Sequence, residues 1–501
     1  FMSHNLIQDA LFSAKSVAQL DRIAIEEQGI AGIILMKRAG RALLDELLES
    51  FGSPSLLSIF CGSGNNAGDG YIAAALAAAK NIPVQVVELS DKLSPDAAQA
   101  KQFAERANVS FVPFDSSIDI AEGVIVDSLL GTGFHGELRQ QYGEAIQLIN
   151  DSGLPVVAAD IPSGLNPDSG HIAEVAVAAD ITVTFIGAKQ GLFSGKGPAV
   201  CGEVIFHSLD VPEQIFDQVP ATAELMDLFE LMDLMPQLSI DGHKTQRGHA
   251  MVVGGDHGYG GAAIMAAEAS LQVGAGMTSL ATRPEHIGPM LTRQPEVMAC
   301  PVVSGQELEP LLGRATVLVV GPGLGRSPWS EQLLQKAVAA GLPMVVDADG
   351  LNIIAEGRVV PNPDGSQWVL TPHAGEAARL LGISVAEVQA DRFAAVHQLQ
   401  EKYSAVVLLK GPGTLIAGAN EIIKVCPYGN PAMATAGMGD ILSGLIGGLI
   451  AQGCDLQTAT ELGCCLHSSA ADLAVQESGL RGLTATDLLP QLGNLLNQDY
   501  V

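Results

Sequence analysis

An aspartate follows a glycine-rich turn in the stretch NPAMATAGMGDILSGLIGGLIAQG, between Asn430 and Gly453. The apolar run after Asp440 predicts a buried helix, which places this carboxylate at the helix N-terminus. Backbone amides at such a terminus are free to bind an anion, and the glycines let the anion approach closely. A carboxylate beside an anion can take the proton of an attacking hydroxyl group. The alternative is that Asp440 only caps the helix.

A lysine between glycine-rich turns favours phosphoryl transfer over simple capping. KGPGT, from Lys410 to Thr414, follows the apolar run AVVLL, so Lys410 can meet phosphate charge while the glycines open the loop to a nucleotide. Four other motifs in this half also carry glycine, acid or histidine beside apolar runs: HKTQRGHAMVVGGDHGYGGA, GPGLG, DADGLN and TPHAGE. Ordinary connections explain one or two such loops, so the full set indicates a site.

The first half carries oxygen-rich side chains at three predicted strand ends. CGSGNNAGDG follows SLLSIF and precedes an alanine-rich segment, a layout that holds phosphate on backbone amides. GVIVDSLLGTGFHGE puts Asp127 at a strand tip, and PVVAADIPSGL puts Asp160 and Ser163 at another. Asn66, Asp127 and Ser163 could supply hard oxygen ligands to an alkali or alkaline-earth cation. Capping explains each residue singly, whereas a shared site explains them together.

Short apolar runs that alternate with alanine-rich segments position these residues. Continuous apolar runs indicate parallel strands covered by helices on both faces, and such sheets bind ligands at the carboxyl ends of their strands. We therefore predict an α/β protein. The predicted strands are SLLSIF (55–60), PVQVVEL (83–89), GVIVDSLL (123–130), PVVAAD (155–160), ITVTFIG (181–187), HAMVVGG (249–255), MTSLATR (277–283), ATVLVVG (315–321), PMVVDAD (343–349), WVLTP (368–372) and AVVLLKG (405–411).

The segment from Val211 to His243 interrupts this alternation. It contains three prolines and many acidic residues, which predicts a linker with one short helix. The chain is therefore expected to have a first domain over residues 1–215, a linker over 216–240 and a second domain over 241–501. The two series of strands share no repeated motif, so we predict no duplication.

Composition excludes several classes of partner. The formal net charge of −29 argues against nucleic acid or an anionic membrane as the main partner. The seven cysteines lack a CxxC pair, which favours reduced cytosolic thiols over a disulfide or zinc framework. No apolar run approaches the roughly 20 residues of a membrane span, and the first residues do not resemble a signal peptide. We expect a soluble, cytoplasmic protein.

The motifs NNAGDG, VDSLLGTG and ADIPSGL, in this order, resemble the NAD(P)H-hydrate epimerase family over about residues 10 to 210. The resemblance implies a Rossmann-like three-layer domain that interconverts the R and S forms of hydrated NADH and NADPH (NADHX and NADPHX). It also implies that Asn66, Asp127 and Ser163 hold a potassium ion and that Asp160 is the acid/base. The implied hydrate contacts are Asn65, Asn66, Ala67, Gly68, Asp69, Gly131, Thr132, Gly133, Phe134, His135, Gly136, Glu137 and Asp160.

The second half resembles the ribokinase-like superfamily, in which a GxGD aspartate is the base. HKTQRG, GGDHGYGGA, GPGLG, DADGLN, TPHAGE, KGPGT and AGMGD together resemble its NAD(P)H-hydrate dehydratase branch over about residues 235 to 495. The resemblance implies ADP as co-substrate, a magnesium ion near Glu376, and Asp440 as the base. The implied hydrate contacts are Ala262, Gly323, His373 and Asp440, and the implied nucleotide contacts are Lys410, Gly411, Pro412, Gly413, Thr414 and Gly439.

Fused in this order, the two halves resemble the bifunctional repair enzymes of bacteria. The resemblance implies that Asp440 activates the C6 hydroxyl of the S hydrate to attack the terminal phosphoryl group of ADP. Phosphate then leaves, and NAD(P)H and AMP result. We also expect a homo-oligomer, a tetramer or higher. The alternative is a ribokinase-like kinase for a vitamin precursor, joined to a non-catalytic N-terminal domain that binds a ligand or a partner.

Overall fold

The computed structural model describes residues 9–134 and 137–497. The chain divides into two compact units, Phe1–Glu224 and Leu225–Val501, called here the N-terminal and C-terminal units. The division lies within the segment 216–240 that the sequence predicts as a linker. This segment contains the expected short helix, Leu228–Met232, and also a strand, Ala223–Leu225, that the sequence did not indicate.

A parallel sheet forms the centre of the N-terminal unit. Its strand order is β4-β3-β2-β5-β6-β7-β9, and every neighbouring pair is parallel. The strands of this unit are β1 (Ala10–Phe12), β2 (Leu57–Cys61), β3 (Val84–Glu88), β4 (Ser110–Pro113), β5 (Val124–Ser128), β6 (Val156–Ala159), β7 (Ile181–Phe185), β8 (Ala188–Lys189), β9 (Glu203–His207) and β10 (Ala223–Leu225), the last crossing the division between the units. The helices are α1 (Ala14–Glu26), α2 (Gly32–Phe51), α3 (Asn65–Ala79), α4 (Pro95–Arg106), α5 (Gln140–Asp151) and α6 (Gly197–Val200).

Helices cover both faces of this sheet. Ile59 and Phe60, adjacent in β2, are both fully buried but belong to different apolar clusters. Successive side chains of a strand point to opposite faces, so each face of the sheet has its own core. One core contains residues of α1, α2 and α3, and the other contains residues of α5. The predicted three-layer α/β arrangement is confirmed.

The C-terminal unit is built on a second parallel sheet with an antiparallel edge. The order β13-β12-β11-β14-β15-β16-β17 is parallel, and β18 and β19 extend it antiparallel to β17. The strands are β11 (His249–Val253), β12 (Met277–Thr282), β13 (Met298–Pro301), β14 (Val317–Val320), β15 (Met344–Val346), β16 (Trp368–Leu370), β17 (Val406–Leu409), β18 (Leu415–Ala417) and β19 (Ile423–Val425). The helices are α7 (Leu228–Met232), α8 (Gly260–Gln272), α9 (Ile287–Arg293), α10 (Gly305–Leu312), α11 (Pro328–Ala339), α12 (Ala348–Glu356), α13 (Ala374–Leu381), α14 (Val385–Ala390), α15 (Arg392–Tyr403), α16 (Met438–Ala451), α17 (Leu456–Ser478) and α18 (Leu488–Leu496).

Glycines let helix α16 lie close to its neighbours. A Cβ atom added at Gly444 would lie 2.2 Å from the carbonyl oxygen of Ala266 in α8, and one at Gly447 would lie 2.3 Å from Val319 in β14. Both distances are too short for a side chain, so the glycines are required for this packing. The close packing fixes the helix whose first turn carries Asp440.

Every apolar run predicted as a strand contains one, usually shorter by one or two residues at its ends. The strands that the sequence did not indicate include the edge strands β4 and β13, which are partly exposed and end in proline, and the short hairpin β18–β19. Within the described residues, no helix is both long enough and apolar enough to cross a membrane.

Candidate active sites

A cavity of about 780 Å³ opens at the carboxyl ends of the strands in the N-terminal unit. Most of the predicted hydrate contacts line it: Asn65, Asn66, Asp69, Gly131, Thr132, Gly133, Phe134, Glu137 and Asp160. Ala67 and Gly68 instead face the interior of the unit, where a Cβ atom on Gly68 would lie 2.3 Å from the Met36 sulfur. His135 and Gly136 lie outside the described residues.

Asp160 and Lys189 form an ion pair on the wall of this cavity. Asp160 follows β6 with a left-handed backbone (φ 67°), and its Oδ1 accepts hydrogen bonds from the Phe185 amide (3.2 Å) and the Thr184 hydroxyl (3.3 Å). The Lys189 ammonium donates to the same oxygen and, at 3.1 Å, to the Phe185 carbonyl. The lysine side chain is fully buried, while Asp160 keeps 17% of its side chain exposed. The pair therefore presents a carboxylate to the cavity.

The predicted potassium ligands meet beneath the loop that follows β5. The Ser163 hydroxyl donates to Asp127 Oδ1 (2.6 Å), and the Ser163 amide donates to Asp127 Oδ2 (2.7 Å). Asn66 donates its amide nitrogen to the Leu130 carbonyl (3.0 Å), but its buried Oδ1 has no hydrogen-bond partner. An unpaired buried carbonyl oxygen beside a carboxylate and a hydroxyl fits an oxygen-liganded cation.

Asp21 and Asp69 are two of the other carboxyl groups that line the cavity. Burial raises the pKa of Asp21 to about 6, with the charge of Lys189 opposing the shift. Burial also raises the pKa of Asp69 well above its usual range, and the charges of Asp160 and Asp21 add to this effect. Three carboxyl groups thus share one ammonium group, so they cannot all be ionised at low cost.

In the C-terminal unit, Asp440 lies in the first turn of helix α16, which begins at Met438 after Gly437 in a left-handed conformation (φ 92°). The side chain is half-buried. Burial raises the pKa of Asp440 to about 7; the charge of Asp347 adds to this rise and that of Lys410 opposes it. A carboxyl group with such a pKa is suited to accept a proton near neutral pH. The predicted position of the acid at a helix N-terminus agrees with the structure.

Lys410 interacts through its charge with acidic residues from two other strand-end loops near this turn. Its ammonium group lies 2.9 Å from Asp347 Oδ1 and 3.9 Å from Glu376 Oε2. Burial disfavours the ammonium charge, but the two carboxylates outweigh that effect and raise the pKa of Lys410. Asp347 also accepts a hydrogen bond from the Ser443 hydroxyl (2.9 Å), which ties it to α16. A Cβ atom on Gly439 would lie 3.2 Å from the Lys410 nitrogen, so the two predicted nucleotide contacts are neighbours.

Asp347 and Glu376 are the residues here that suit magnesium. Both are buried carboxylates that converge on Lys410. No group of three or more acidic, histidine or cysteine side chains among the described residues is arranged to hold a metal ion. This is compatible with magnesium, which proteins usually bind through one or two carboxylates together with substrate phosphates.

A buried arginine, Arg392, supports the KGPGT turn from the interior of the C-terminal unit. Arg392 donates to the carbonyl oxygens of Leu409 (3.2 Å) and Lys410 (3.3 Å), and a Cβ atom on Gly411 would lie 2.8 Å from its guanidinium. Its side chain is 1% exposed, and burial lowers the pKa of Arg392 to about 10. The rest of the turn faces outward: Gly411 and Pro412 are exposed, and Gly413 and Thr414 are half-buried.

The remaining predicted hydrate contacts of the C-terminal unit fall in two places. His373 caps helix α13, where its Nδ1 accepts a hydrogen bond from the Gly375 amide (2.9 Å). Its Nε2 lies 3.3 Å from Glu376 Oε1. Burial and the charge of Lys410 lower the pKa of His373. Ala262 and Gly323 adjoin one another, since a Cβ atom on Gly323 would lie 3.2 Å from that of Ala262.

Sequence reasoning missed Lys189 and Asp347 as site residues. Lys189 lies in GAKQG after β7, with no motif to single it out. Asp347 carried a usable signal, because it directly follows the apolar run PMVV and begins DADGLN. An acid at the carboxyl end of a buried parallel strand is where ligands bind in such folds.

Comparison with known proteins assigns both units. Residues 32–191 match the family described as YjeF-related protein N-terminus, and residues 250–494 match the family described as NAD(P)H-hydrate dehydratase. The chain is 46% identical to a bifunctional NAD(P)H-hydrate repair enzyme Nnr of Coxiella burnetii, over 97% of this chain and 99% of that protein. Its identity to the protein of that name in Escherichia coli is 37%, over 98% and 95%.

Among solved structures, a ribokinase-like superfamily protein of Enterococcus faecalis superposes with a TM-score of 0.51 at 27% identity. The match covers 55% of this chain and 96% of that protein, which fits the size of the C-terminal unit. The ribokinase-like fold predicted for the second half is thereby confirmed. With two family matches in order and relatives aligned from end to end, the chain belongs to the family of bifunctional NAD(P)H-hydrate repair enzymes.

Proposed function

We propose that this chain repairs NADHX and NADPHX by two reactions. The N-terminal unit interconverts the R and S hydrates, and the C-terminal unit dehydrates the S form with ADP, releasing NAD(P)H, AMP and phosphate. The observation that carries the proposal is the pair of lysine–carboxylate centres, Lys189–Asp160 and Lys410–Asp347, one in each unit at the carboxyl ends of a parallel sheet. The names of the full-length relatives support the same pair of activities.

In the N-terminal unit, Asp160 is the group that exchanges protons with the C6 hydroxyl. The hydroxyl takes up a proton and leaves C6 as water while the ring nitrogen donates its electron pair. A water molecule then adds to the other face and gives up a proton, so the two transfers balance. Lys189 holds Asp160 as a carboxylate that can take the proton of the incoming water. The cavity of about 780 Å³ is large enough to hold the reacting ring and neighbouring groups of the dinucleotide.

Asn66, Asp127 and Ser163 would hold a potassium ion below the glycine loop. The unpaired Asn66 Oδ1 supports this assignment, because it gives a cation a ready ligand. When bound, the ion would supply positive charge near the pyrophosphate of the substrate. The residues of this chain would fix the loop over 129–134, whose Leu130 is already tied to both Asn66 and Ser163.

In the C-terminal unit, Asp440 takes the proton of the C6 hydroxyl as that oxygen attacks the terminal phosphorus of ADP. Its position beside free amides at the start of α16 places the base next to the group that develops negative charge. Phosphate then leaves C6 with the help of the ring nitrogen, and a C5 proton is lost. Ala262, Gly323 and His373 would contact the hydrate in this reaction.

Lys410 and the turn over 411–414, with Gly439, would hold the ADP phosphates. The cationic end of Lys410 remains partly exposed (21%), so it can reach a phosphate while it stays paired with Asp347. A magnesium ion bound through Asp347 or Glu376 would supply further charge neutralisation to the transferring group. Arg392 sets the position of the turn without contacting the nucleotide.

We also propose a homo-oligomer of four or more copies. Support comes from large apolar side chains exposed in the C-terminal unit, among them Phe229 (61%) and Leu238 (70%), which a partner copy would cover. Light scattering of the purified chain measures its mass, and a monomer contradicts this assembly.

The decisive assay supplies a mixture of R and S hydrates with ADP and follows the absorbance of reduced nicotinamide. If both units work, recovery runs to completion, because the R form is continuously converted to the S form. Recovery that stops at the S fraction shows dehydration without epimerisation. A stable phosphorylated product without recovered absorbance contradicts the repair assignment and selects a kinase. Repeating the assay with ATP measures the nucleotide preference.

A further inference from the structure

Asp69 and Asp160 line the same cavity but have opposite hydrogen-bond environments. Asp160 accepts from the Lys189 ammonium, the Phe185 amide and the Thr184 hydroxyl. Within residues 9–134 and 137–497, no hydrogen bond or ion pair reaches the carboxyl group of Asp69. Asp69 is half-buried against the cavity, and a carboxylate charge that is partly withdrawn from water without donors is less favourable there than a neutral carboxyl group.

This contrast favours a proton on Asp69 over a proton on Asp160. Lys189 and two neutral donors stabilise the charge on Asp160. Burial raises the pKa of Asp69 well above its usual range, the charges of Asp160 and Asp21 raise it further, and only Lys189 opposes them. Among the described residues, the ammonium group and the neutral donors reach Asp160 and not the Asp69 carboxyl group, which favours a proton on Asp69.

An ionised Asp160 can accept a proton, but it cannot donate the proton that a departing hydroxyl needs. We propose that Asp69 is a second catalytic residue of the N-terminal unit, which protonates the leaving C6 hydroxyl while Asp160 takes a proton from the water that adds. The proposal rests on the epimerase activity proposed above. It replaces a single shuttling carboxyl group with a donor and an acceptor.

The two residues reach the cavity from different strands. Asp69 lies in the second turn of α3, which follows β2, whereas Asp160 follows β6, and β5 separates β2 from β6 in the sheet. Inversion at C6 requires that the hydroxyl leave from one face and water add to the other. Groups carried by separated strands suit this geometry better than one group that must serve both faces.

The proton balance of the step is complete. Asp69 gives its proton to the C6 hydroxyl, the C–O bond breaks, water leaves, and the ring nitrogen carries the positive charge as an iminium. Water adds to C6 at the other face and gives one proton to Asp160, which restores the neutral hemiaminal. Asp69 is then ionised and Asp160 protonated, the form that runs the reverse reaction. Exchange with solvent returns the proton.

The test separates loss of the hydroxyl from inversion. Each pure epimer is incubated with the full-length chain in ¹⁸O-labelled water. Mass spectrometry follows label at the C6 hydroxyl, and chromatography follows the R and S forms. The Asp160→Asn variant keeps protonated Asp69, so water leaves and returns on one face. We expect label in one epimer within about tenfold of the wild-type rate, with inversion at least about 100-fold slower.

In the Asp69→Asn variant, Asp160 as the acceptor has no proton to give to the hydroxyl, so we expect both label incorporation and inversion to fall at least about 100-fold from either epimer. Loss of both label and inversion in Asp160→Asn, with normal inversion in Asp69→Asn, overturns the proposal in favour of a single carboxyl group. If Asp69→Asn does not fold, Asp160→Asn still decides between one and two carboxyl groups, because label without inversion requires a second carboxyl group, and Asp21→Asn then decides whether that group is Asp21. Asp45→Asn, at an exposed position of α2, is the matched control and keeps wild-type rates.

Asp21, on α1, is a further carboxyl group whose charge acts on Asp69. The paired scheme predicts that Asp21→Asn retains inversion. Loss of both label and inversion in Asp21→Asn, with both retained in Asp69→Asn, would transfer the donor role to Asp21 and overturn the assignment to Asp69. A wild-type chain that shows no R/S exchange contradicts the proposed epimerase function itself and is thereby distinguished from failure of the donor assignment.

Discussion

The two units each hold a lysine paired with an aspartate, but they expose opposite members of the pair. In the N-terminal unit, Lys189 is fully buried and Asp160 keeps 17% of its side chain exposed. In the C-terminal unit, Asp347 is the buried member at 2%, and Lys410 keeps 21% exposed. The first centre thus offers a negative group to its ligand and the second offers a positive one.

This reversal matches the chemistry proposed for each unit. A carboxylate is what a hydroxyl or water needs to lose a proton, whereas an ammonium group is what a nucleotide phosphate needs. The C-terminal unit then requires a separate base, and Asp440 stands near the pair with its pKa raised by burial to about 7. A lysine–aspartate pair can therefore serve either reaction, depending on whether the lysine or the aspartate is the buried member.

Asp440→Ala gives the sharpest separation of the two centres. We expect dehydration to fall by about 10³-fold, because no group remains to accept the hydroxyl proton, while R/S exchange stays at the wild-type rate. Both reactions are measured on one preparation of the variant. Substantial residual dehydration refutes the base assignment, and a parallel loss of R/S exchange contradicts independent centres.

Lys189→Met tests the buried member of the first pair. It leaves the Asp160 charge without its counterion, so we expect R/S exchange to fall by about 100-fold and the free energy of unfolding of the N-terminal unit to fall by about 3 kcal/mol. Dehydration of the pure S hydrate should be retained. Lys196→Met, at an exposed position nearby, is the matched control and should change neither quantity. Wild-type R/S exchange in Lys189→Met would contradict the role of Lys189 as the counterion of a catalytic Asp160.

The pH dependence distinguishes the two carboxyl groups that act as bases. Asp440 must be ionised to accept a proton, and its pKa of about 7 means that kcat/KM for dehydration should rise about tenfold per pH unit below 7 and level off above it. R/S exchange, which depends on Asp160, should not follow this curve. Rates measured on pure S hydrate with saturating ADP provide the profile, and a dehydration rate that falls as the pH rises toward 7 contradicts the assignment.

Gly439→Ala is expected to have the smallest effect. The added methyl group would lie 3.2 Å from the Lys410 nitrogen and 3.6 Å from Asp347, so the lysine must shift slightly. We expect KM for ADP to rise by about fivefold, or about 1 kcal/mol, with R/S exchange unchanged. Gly493→Ala, where an added Cβ meets nothing within 4 Å, is the control. An unchanged KM removes Gly439 from the nucleotide site.

The sequence was sufficient for features that depend on neighbouring residues. Continuous apolar runs such as VLVV predicted the central strands, and a glycine turn before a long apolar run placed Asp440 at the start of α16. The two ion pairs could not be predicted from the sequence in this way. Lys189 meets Asp160 across 29 positions, and Lys410 meets Asp347 across 63, so only the sheet order brings them together. The edge strands were missed because they lack a continuous apolar run.

The conformation of the nucleotide-binding turn depends on Arg392, a buried residue outside the turn. Its guanidinium donates hydrogen bonds to the backbone carbonyl oxygens of Leu409 and Lys410 from the interior of the unit, and it would not contact a bound phosphate. Substitution of Arg392 would displace Lys410 although Lys410 itself is unchanged. The measured defect would be a lower affinity for the nucleotide. A mutational survey confined to ligand-contacting positions would overlook this dependence, and any attempt to transplant the turn into another scaffold must carry the arginine with it.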